Sequence, residues 1–148
     1  MNIREFKARL DLDFYVEGNS EAFRKSYPGI SVPASLISEM SYGMEAIESS
    51  DYVQGYTAEN EFEQVGFIVA ALQAFYTVPY VYIESIFVAE KYRGTGIAEQ
   101  LITHAEAWGK TKGAQFIQLD VSLSNERARV SYKNMGFTET RAQMDKPL

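Results

Sequence analysis

The sequence has no cysteine and only one histidine, His104, and these two shortages exclude several kinds of site. Without cysteine the chain forms no disulfide, supplies no thiolate metal ligand and carries no cysteine nucleophile. With one histidine, a metal centre would have to be built mainly from carboxylates. We therefore expect no metal cofactor.

Long apolar runs and an excess of basic residues are also missing. No stretch approaches the roughly 18 apolar residues that a membrane-spanning helix needs. Residues 1–12 alternate charged and apolar side chains where a signal peptide would have an apolar core. These features predict a cytoplasmic protein with no membrane partner. A formal net charge of −6 also argues against a nucleic-acid partner, because a basic face supplies most of that affinity.

What is present is enough apolar material for a core, with an uneven distribution of charge. The chain has 148 residues, of which 46% are hydrophobic, and this predicts one domain over residues 1–148. Residues 1–78 carry 12 acidic and 5 basic side chains, whereas residues 79–148 carry 8 and 9. The split favours an N-terminal half that attracts cations and a C-terminal half that tolerates anions. Surface carboxylates that only aid solubility would give the same counts.

The hydrophobic pattern predicts an α/β (α+β) chain. Apolar residues at helical spacing predict four helices, over residues 20–27, 33–48, 96–112 and 125–135. Segments rich in β-branched and aromatic residues predict five strands, over residues 52–58, 65–73, 80–88, 115–121 and 137–144. The strands come first as a hairpin and then as a strand–helix–strand unit. That order implies a mixed sheet.

The most specific local feature is the turn that joins strand 80–88 to helix 96–112. It contains Arg93, Gly94 and Gly96. A tight turn into a helix leaves several backbone N–H groups unpaired near one point, and these favour a phosphate together with the helix dipole. The two glycines let the backbone adopt unusual dihedrals and approach a ligand closely. An ordinary glycine-rich turn without a ligand has the same composition, so the turn alone leaves both readings open.

Two segments extend this pattern to a family. The chain resembles the GNAT superfamily of N-acetyltransferases, whose acetyl-CoA signature is Arg/Gln-x-x-Gly-x-Gly/Ala, in the stretch Tyr92-Arg93-Gly94-Thr95-Gly96-Ile97-Ala98. It also resembles the family's Asn-x-x-Ala…Tyr-x-x-x-Gly-Phe segment in Asn125-Glu126-Arg127-Ala128 and Tyr132-Lys133-Asn134-Met135-Gly136-Phe137. The likeness is close over residues 80–148 and only topological over residues 1–79. Arg129 and Ser131 depart from it, because they occupy helix positions that are usually apolar.

The resemblance implies a GNAT-like mixed, mostly antiparallel sheet flanked by helices, with acetyl-CoA bound as co-substrate at the strand–helix–strand core. The pyrophosphate of CoA would lie on the amides of the 93–98 turn, and the pantetheine arm would pair with the end of strand 80–88 beside a β-bulge. Asn125 would cap its helix and contact pantetheine. The implied cofactor-binding residues are Ile86, Phe87, Val88, Arg93, Gly94, Thr95, Gly96, Ile97, Ala98, Asn125 and Tyr132.

Two side chains are predicted to transfer protons. An acceptor amine with a pKa near ~10.4 must lose a proton before it attacks a thioester. Glu84 is the candidate base, because a carboxylate inside an apolar run is costly unless it has a role or a partner. The resemblance also places a catalytic or substrate-binding carboxylate there. Tyr132 stands where the family carries its general acid. A structural glutamate and a packing tyrosine are the alternatives.

The predicted acceptor is a primary amine, most simply one on a small molecule. Aromatic side chains among carboxylates suit a cationic amine, and Tyr27, Tyr80 and Glu84 are the candidate substrate-binding residues. Two alternatives stay open: a protein acetyltransferase acting on lysine or an N-terminal amine, and a CoA-binding regulatory module without turnover. Both a monomer and a homodimer are compatible with the sequence.

Overall fold

The computed structural model describes residues 1–148, which form two compact units, Met1–Gln118 and Leu119–Leu148. The single domain over residues 1–148 stays a prediction. No helix in the chain is long and apolar enough to cross a membrane.

The first unit is built on a five-stranded sheet with the order β1-β2-β3-β4-β5. The first three neighbouring pairs are antiparallel, and β4 pairs with β5 in parallel. The predicted mixed, mostly antiparallel sheet is therefore confirmed. The strands are β1 (Asn2–Glu5), β2 (Val53–Glu59), β3 (Gln64–Phe75), β4 (Val78–Val88) and β5 (Ile117–Gln118). The helices of this unit are α1 (Ala8–Ser26), α2 (Ala34–Ser49) and α3 (Ile97–Thr111).

The core lies on both faces of β3, where residues 65–71 are all buried. A continuous apolar run is typical of a strand covered on both sides. On one face, Phe67 stacks on Phe87 with ring centroids 5.6 Å apart, and Phe14 of α1 meets Phe67 edge-on at 5.7 Å. On the other face, Gly66 lies against Leu101 of α3. The sheet therefore separates α1 from α3.

The N-terminal region differs most from the prediction, because β1 was not predicted and α1 begins at Ala8 rather than near residue 20. The alternating charges of residues 1–12 form a buried ion pair here. Arg4 donates two hydrogen bonds of 2.8 Å to Asp11, which is 1% exposed. Asp11 also accepts the backbone N–H of Lys7 at 2.7 Å. These contacts satisfy the start of α1 without an apolar stripe.

The second unit contains one helix, α4 (Glu126–Asn134). The strand predicted over residues 137–144 is wrong: this segment contains no strand and pairs with none. A strand needs a neighbour for its backbone groups. The segment is held instead by side chains, since Glu139 accepts a 2.6 Å hydrogen bond from Arg129 of α4.

Candidate active site

A β-bulge lies in the middle of β4, at Glu84. Ser85 pairs with Val69 of β3 and Ile83 pairs with Ala70, so Glu84 is an extra residue without a partner on β3. Side chains alternate along a strand, and one extra residue shifts that alternation. Before the bulge, Val81 lies against Gly109 of α3, whereas after it Ser85 contacts α1. The bulge therefore turns the last part of β4 so that its odd-numbered residues face α1.

The carboxylate of Glu84 is exposed and makes no hydrogen bond or ion pair within the chain. Its negative charge acts on Tyr15 of α1. Burial raises the pKa of the Tyr15 hydroxyl, and the negative charge of Glu84 raises it further. The alternative of a glutamate bonded to Ser85 does not describe this structure, because the Ser85 hydroxyl donates to Asn19 Oδ1 at 2.6 Å.

The far edge of β4 is open beside the bulge. β5 pairs with β4 only at Val81↔Ile117 and Tyr82↔Gln118. From Ile83 to Val88, no strand pairs with this edge. Ile86, Phe87 and Val88, the predicted pantetheine-binding residues, lie in this unpaired part. Backbone groups without a strand partner can pair with an extended ligand that adds in the manner of a strand.

The turn after β4 has the predicted glycine geometry. Gly94 and Gly96 have φ values of 80° and 83°, the left-handed region that favours glycine. Gly96 is the N-cap of α3 and has no side chain to satisfy the first N–H groups of the helix, which include those of Ile97 and Ala98. The hydroxyl of Thr95 donates to the carbonyl of Tyr92 at 2.6 Å and closes the turn. This arrangement can bind an anion through backbone amides.

Arg93 holds this turn to its surroundings. Its Nε donates to the carbonyl of Val88 at 2.9 Å, and its Nη2 pairs with Glu21 of α1 at 2.7 Å. Hydrogen bonds from Lys25 and Arg93 hold the pKa of Glu21 below its ordinary value. In this structure the side chain of Arg93 therefore fixes the loop.

The α1 side of β4 also has a cavity of about 290 Å³. It combines two phenylalanine rings with four carboxylates, which fits the acidic N-terminal half. Its lining residues are Phe14, Glu17, Glu21, Glu63, Gln64, Phe87, Ala89 and Glu90.

The two other predicted acceptor residues, Tyr27 and Tyr80, each pack on an aromatic ring, and their role stays a prediction. Tyr27 follows the end of α1, is 54% exposed and packs on Phe23 with centroids 4.9 Å apart. Tyr80 stacks on Phe116 at 4.8 Å and donates its hydroxyl to Gln73 at 2.7 Å. The residues next to the bulge are those of the middle of α1.

Sequence reasoning missed these α1 residues, Tyr15 and Asn19, because it began the helix after them. Their spacing of four residues places them on one face of a helix, and this was the available signal.

In the second unit, Asn125 caps α4 by accepting the N–H of Ala128 at 3.2 Å, as predicted. Tyr132 packs edge-on against Phe137 with centroids 5.8 Å apart, and burial raises the pKa of its hydroxyl. The phenol therefore holds its proton at neutral pH. Arg129, which departs from the family pattern, donates hydrogen bonds to Glu139 and to the carbonyl of Leu123.

No group of three or more potential metal-binding side chains occurs in the chain. The order of strand, glycine turn and helix agrees with the resemblance found in the sequence. The chain belongs to the acetyltransferase (GNAT) family, whose model matches residues 16–137. It is an acetyl-CoA-dependent N-acetyltransferase.

Among its relatives is an aminoglycoside N(6')-acetyltransferase type 1 of Salmonella typhimurium, to which it is 31% identical over 101 residues. That match covers 65% of this chain and 70% of the relative. The fold is shared with the aminoglycoside acetyltransferase AAC(6')-Iy, solved with a bisubstrate analogue of CoA and acetylneamine. The TM-score is 0.79 at 24% identity, over 99% of this chain and 97% of that one. A transcriptional regulator from Bacillus halodurans has the same fold, with a TM-score of 0.81 at 22% identity over 99% of both chains.

Proposed function

We propose that this enzyme acetylates a primary amine of a small polycationic molecule of the aminoglycoside type, with Glu84 as the base and Tyr132 as the acid. The observation that carries the proposal is the unpaired carboxylate of Glu84, exposed at a β-bulge in the strand that leads to the glycine turn. The relatives named for aminoglycoside acetylation support the same acceptor class.

Acetyl-CoA would bind to this chain through backbone groups. The N–H groups of the 94–98 turn would receive the pyrophosphate, and the open edge of β4 would pair with pantetheine. This assignment is supported by Arg93, which donates hydrogen bonds to Val88 and Glu21. These bonds hold the turn in shape before the ligand binds. A preformed site binds with less loss of entropy. Asn125 is assigned to pantetheine by the family motif.

Chemistry begins with an amine that is protonated at neutral pH. Glu84, directly or through one water, would take a proton from the ammonium, and the neutral nitrogen would attack the thioester carbon. An N–H group near Ile86 to Val88 would stabilise the oxyanion that forms. The intermediate would collapse with cleavage of the C–S bond, and the departing thiolate would take the hydroxyl proton of Tyr132. The extra proton on the attacking nitrogen would pass through water to the Tyr132 phenolate, and Glu84 would release its proton to solvent. The products are the acetamide and CoA.

The acidic surroundings favour a cationic acceptor. Four carboxylates line the cavity on the α1 side of β4. Glu21 and Glu63 are paired with basic side chains, so Glu17 and Glu90 supply the net negative charge that raises the local concentration of a polycation. A small molecule with several amines interacts with such a field more strongly than one lysine side chain does. Two other functions would replace the proposal if the test supported them: acetylation of proteins, and CoA-dependent regulation without turnover.

The test is release of free thiol from acetyl-CoA with a panel of acceptors: aminoglycosides, polyamines and lysine peptides. Turnover is expected with aminoglycosides, and the Glu84→Gln variant should lose it by roughly 10²-fold or more. Glu61→Gln, an exposed carboxylate in the β2–β3 turn, is the matched control. Turnover confined to peptides contradicts the acceptor class, and bound acetyl-CoA with no turnover on any acceptor contradicts the catalytic proposal.

A further inference from the structure

The bulge at Glu84 is held to α1 by a short chain of side-chain hydrogen bonds. The Ser85 hydroxyl donates to Asn19 Oδ1 at 2.6 Å, and Asn19 Nδ2 donates to the backbone carbonyl of Tyr15 at 2.9 Å. Each of the four polar atoms in this series of hydrogen bonds therefore has a partner. It joins residues 66 positions apart in the sequence, so it fixes one element to another rather than stabilising a single turn.

A bulge needs such a restraint. The extra residue has no ladder partner on β3, so the pairing with β3 does not fix its position. Ser85 follows the extra residue directly. Fixing the Ser85 side chain on α1 therefore decides that Glu84, and not Ser85, is the residue without a partner on β3. Gly18, next to Asn19, lets α1 approach the sheet closely, since a Cβ there would lie 2.7 Å from the ring of Phe67.

We propose that Asn19 and Ser85 are positioning residues that hold the bulge in the register in which the Glu84 carboxylate faces the acceptor amine. The catalytic role of Glu84 in this inference rests on the proposed function. The restraint of the bulge by Asn19 and Ser85 does not. Neither side chain touches the reacting atoms. Their effect passes through the placement of one carboxylate.

The kinetic test compares Ser85→Ala and Asn19→Ala in two backgrounds. Each is expected to lower kcat for an aminoglycoside roughly three- to tenfold, the net value of one hydrogen bond, with unchanged affinity for acetyl-CoA. Ser85→Thr keeps the donor and should restore the rate. In the Glu84→Gln background, Ser85→Ala should cost nothing more. Ser41→Ala, which removes a serine hydroxyl bonded within α2, is the matched control.

The second test needs no turnover. With tyrosines labelled at Cζ, NMR follows the titration of Tyr15, which is assigned from the spectrum of Tyr15→Phe. Removing the charge in Glu84→Gln should lower the midpoint of Tyr15. Ser85→Ala should also shift the midpoint, because both the Glu84 charge and the Asn19 hydrogen bond that act on the Tyr15 hydroxyl are then less firmly placed.

Two results overturn the inference: an equal kinetic loss from Ser85→Ala in both backgrounds, or a Tyr15 midpoint in Ser85→Ala identical to that of the parent. If no acceptor turns over, the proposed function fails, and the NMR titration alone decides whether Asn19 and Ser85 position Glu84.

Discussion

The buried ion pair between Arg4 and Asp11 anchors the start of α1, and its removal gives a prediction with a definite size. In Asp11→Asn the guanidinium of Arg4 loses its bidentate partner, although it keeps a 2.9 Å bond to Glu59 and is 20% exposed. Breaking a fully buried pair costs about 3–5 kcal/mol. The remaining partner and partial exposure of Arg4 place the cost at the lower end, about 3 kcal/mol. For a chain of this length, that loss lowers Tm by roughly 6–12 °C.

The loss should depend on pH. Desolvation opposes ionisation of Asp11, but hydrogen bonds from Arg4 and Lys7 outweigh it and hold the pKa of the carboxyl below its ordinary value. A carboxyl whose pKa is lower in the folded chain stabilises the fold at pH values above its pKa in the unfolded chain, about 3.9. That stabilisation is lost as the pH falls through its pKa in the folded chain. The gap between parent and Asp11→Asn should therefore be constant near pH 7 and shrink below about pH 4.

Urea unfolding followed by circular dichroism at pH 7 and at pH 3–4 measures both effects. Glu63→Gln, which removes the partner of Lys91 in an exposed pair, is the control and should leave the unfolding midpoint almost unchanged. An Asp11→Asn variant as stable as the parent at pH 7 would refute the reasoning, and so would a gap that widens as the pH falls.

Three further predictions concern packing, the glycine turn and the acid. Gly109→Ala should destabilise the fold by about 1–3 kcal/mol in urea unfolding, because the added methyl overlaps Val81; unchanged stability would contradict the packing of α3 on β4. Gly96→Ala should weaken acetyl-CoA binding in calorimetry, since its φ of 83° strains any Cβ, whereas wild-type affinity would argue against the turn as the phosphate site. Tyr132→Phe should lower kcat by roughly 10²-fold while acetyl-CoA affinity holds; equal loss of both points to a packing role.

The sequence predicted the local features of the site and missed those that depend on distant contacts. Strand 80–88, the glycine turn and helix 96–112 were found because glycine spacing and hydrophobic period are local signals. The beginning of α1 was missed because its buried face includes a charged residue, Asp11, whose partner Arg4 lies on β1.

The surroundings of Glu84 were also outside the reach of the sequence. The apolar run around it suggested a carboxylate enclosed within a strand, but the register shift between β3 and β4 exposes it. A register shift depends on two strands together, and no single segment encodes it. The same limit explains the strand predicted over residues 137–144, whose composition is strand-like but which has no partner.

The pH–rate profile of Glu84→Gln tests the central claim most directly, with an aminoglycoside as acceptor and saturating acetyl-CoA. A base matters most where the amine is hardest to deprotonate. The rate ratio of parent to variant should therefore be largest at low pH and fall toward one as the pH nears the amine pKa of about 10.4. A ratio that stays the same at every pH, or a variant as fast as the parent at low pH, would contradict Glu84 as the base.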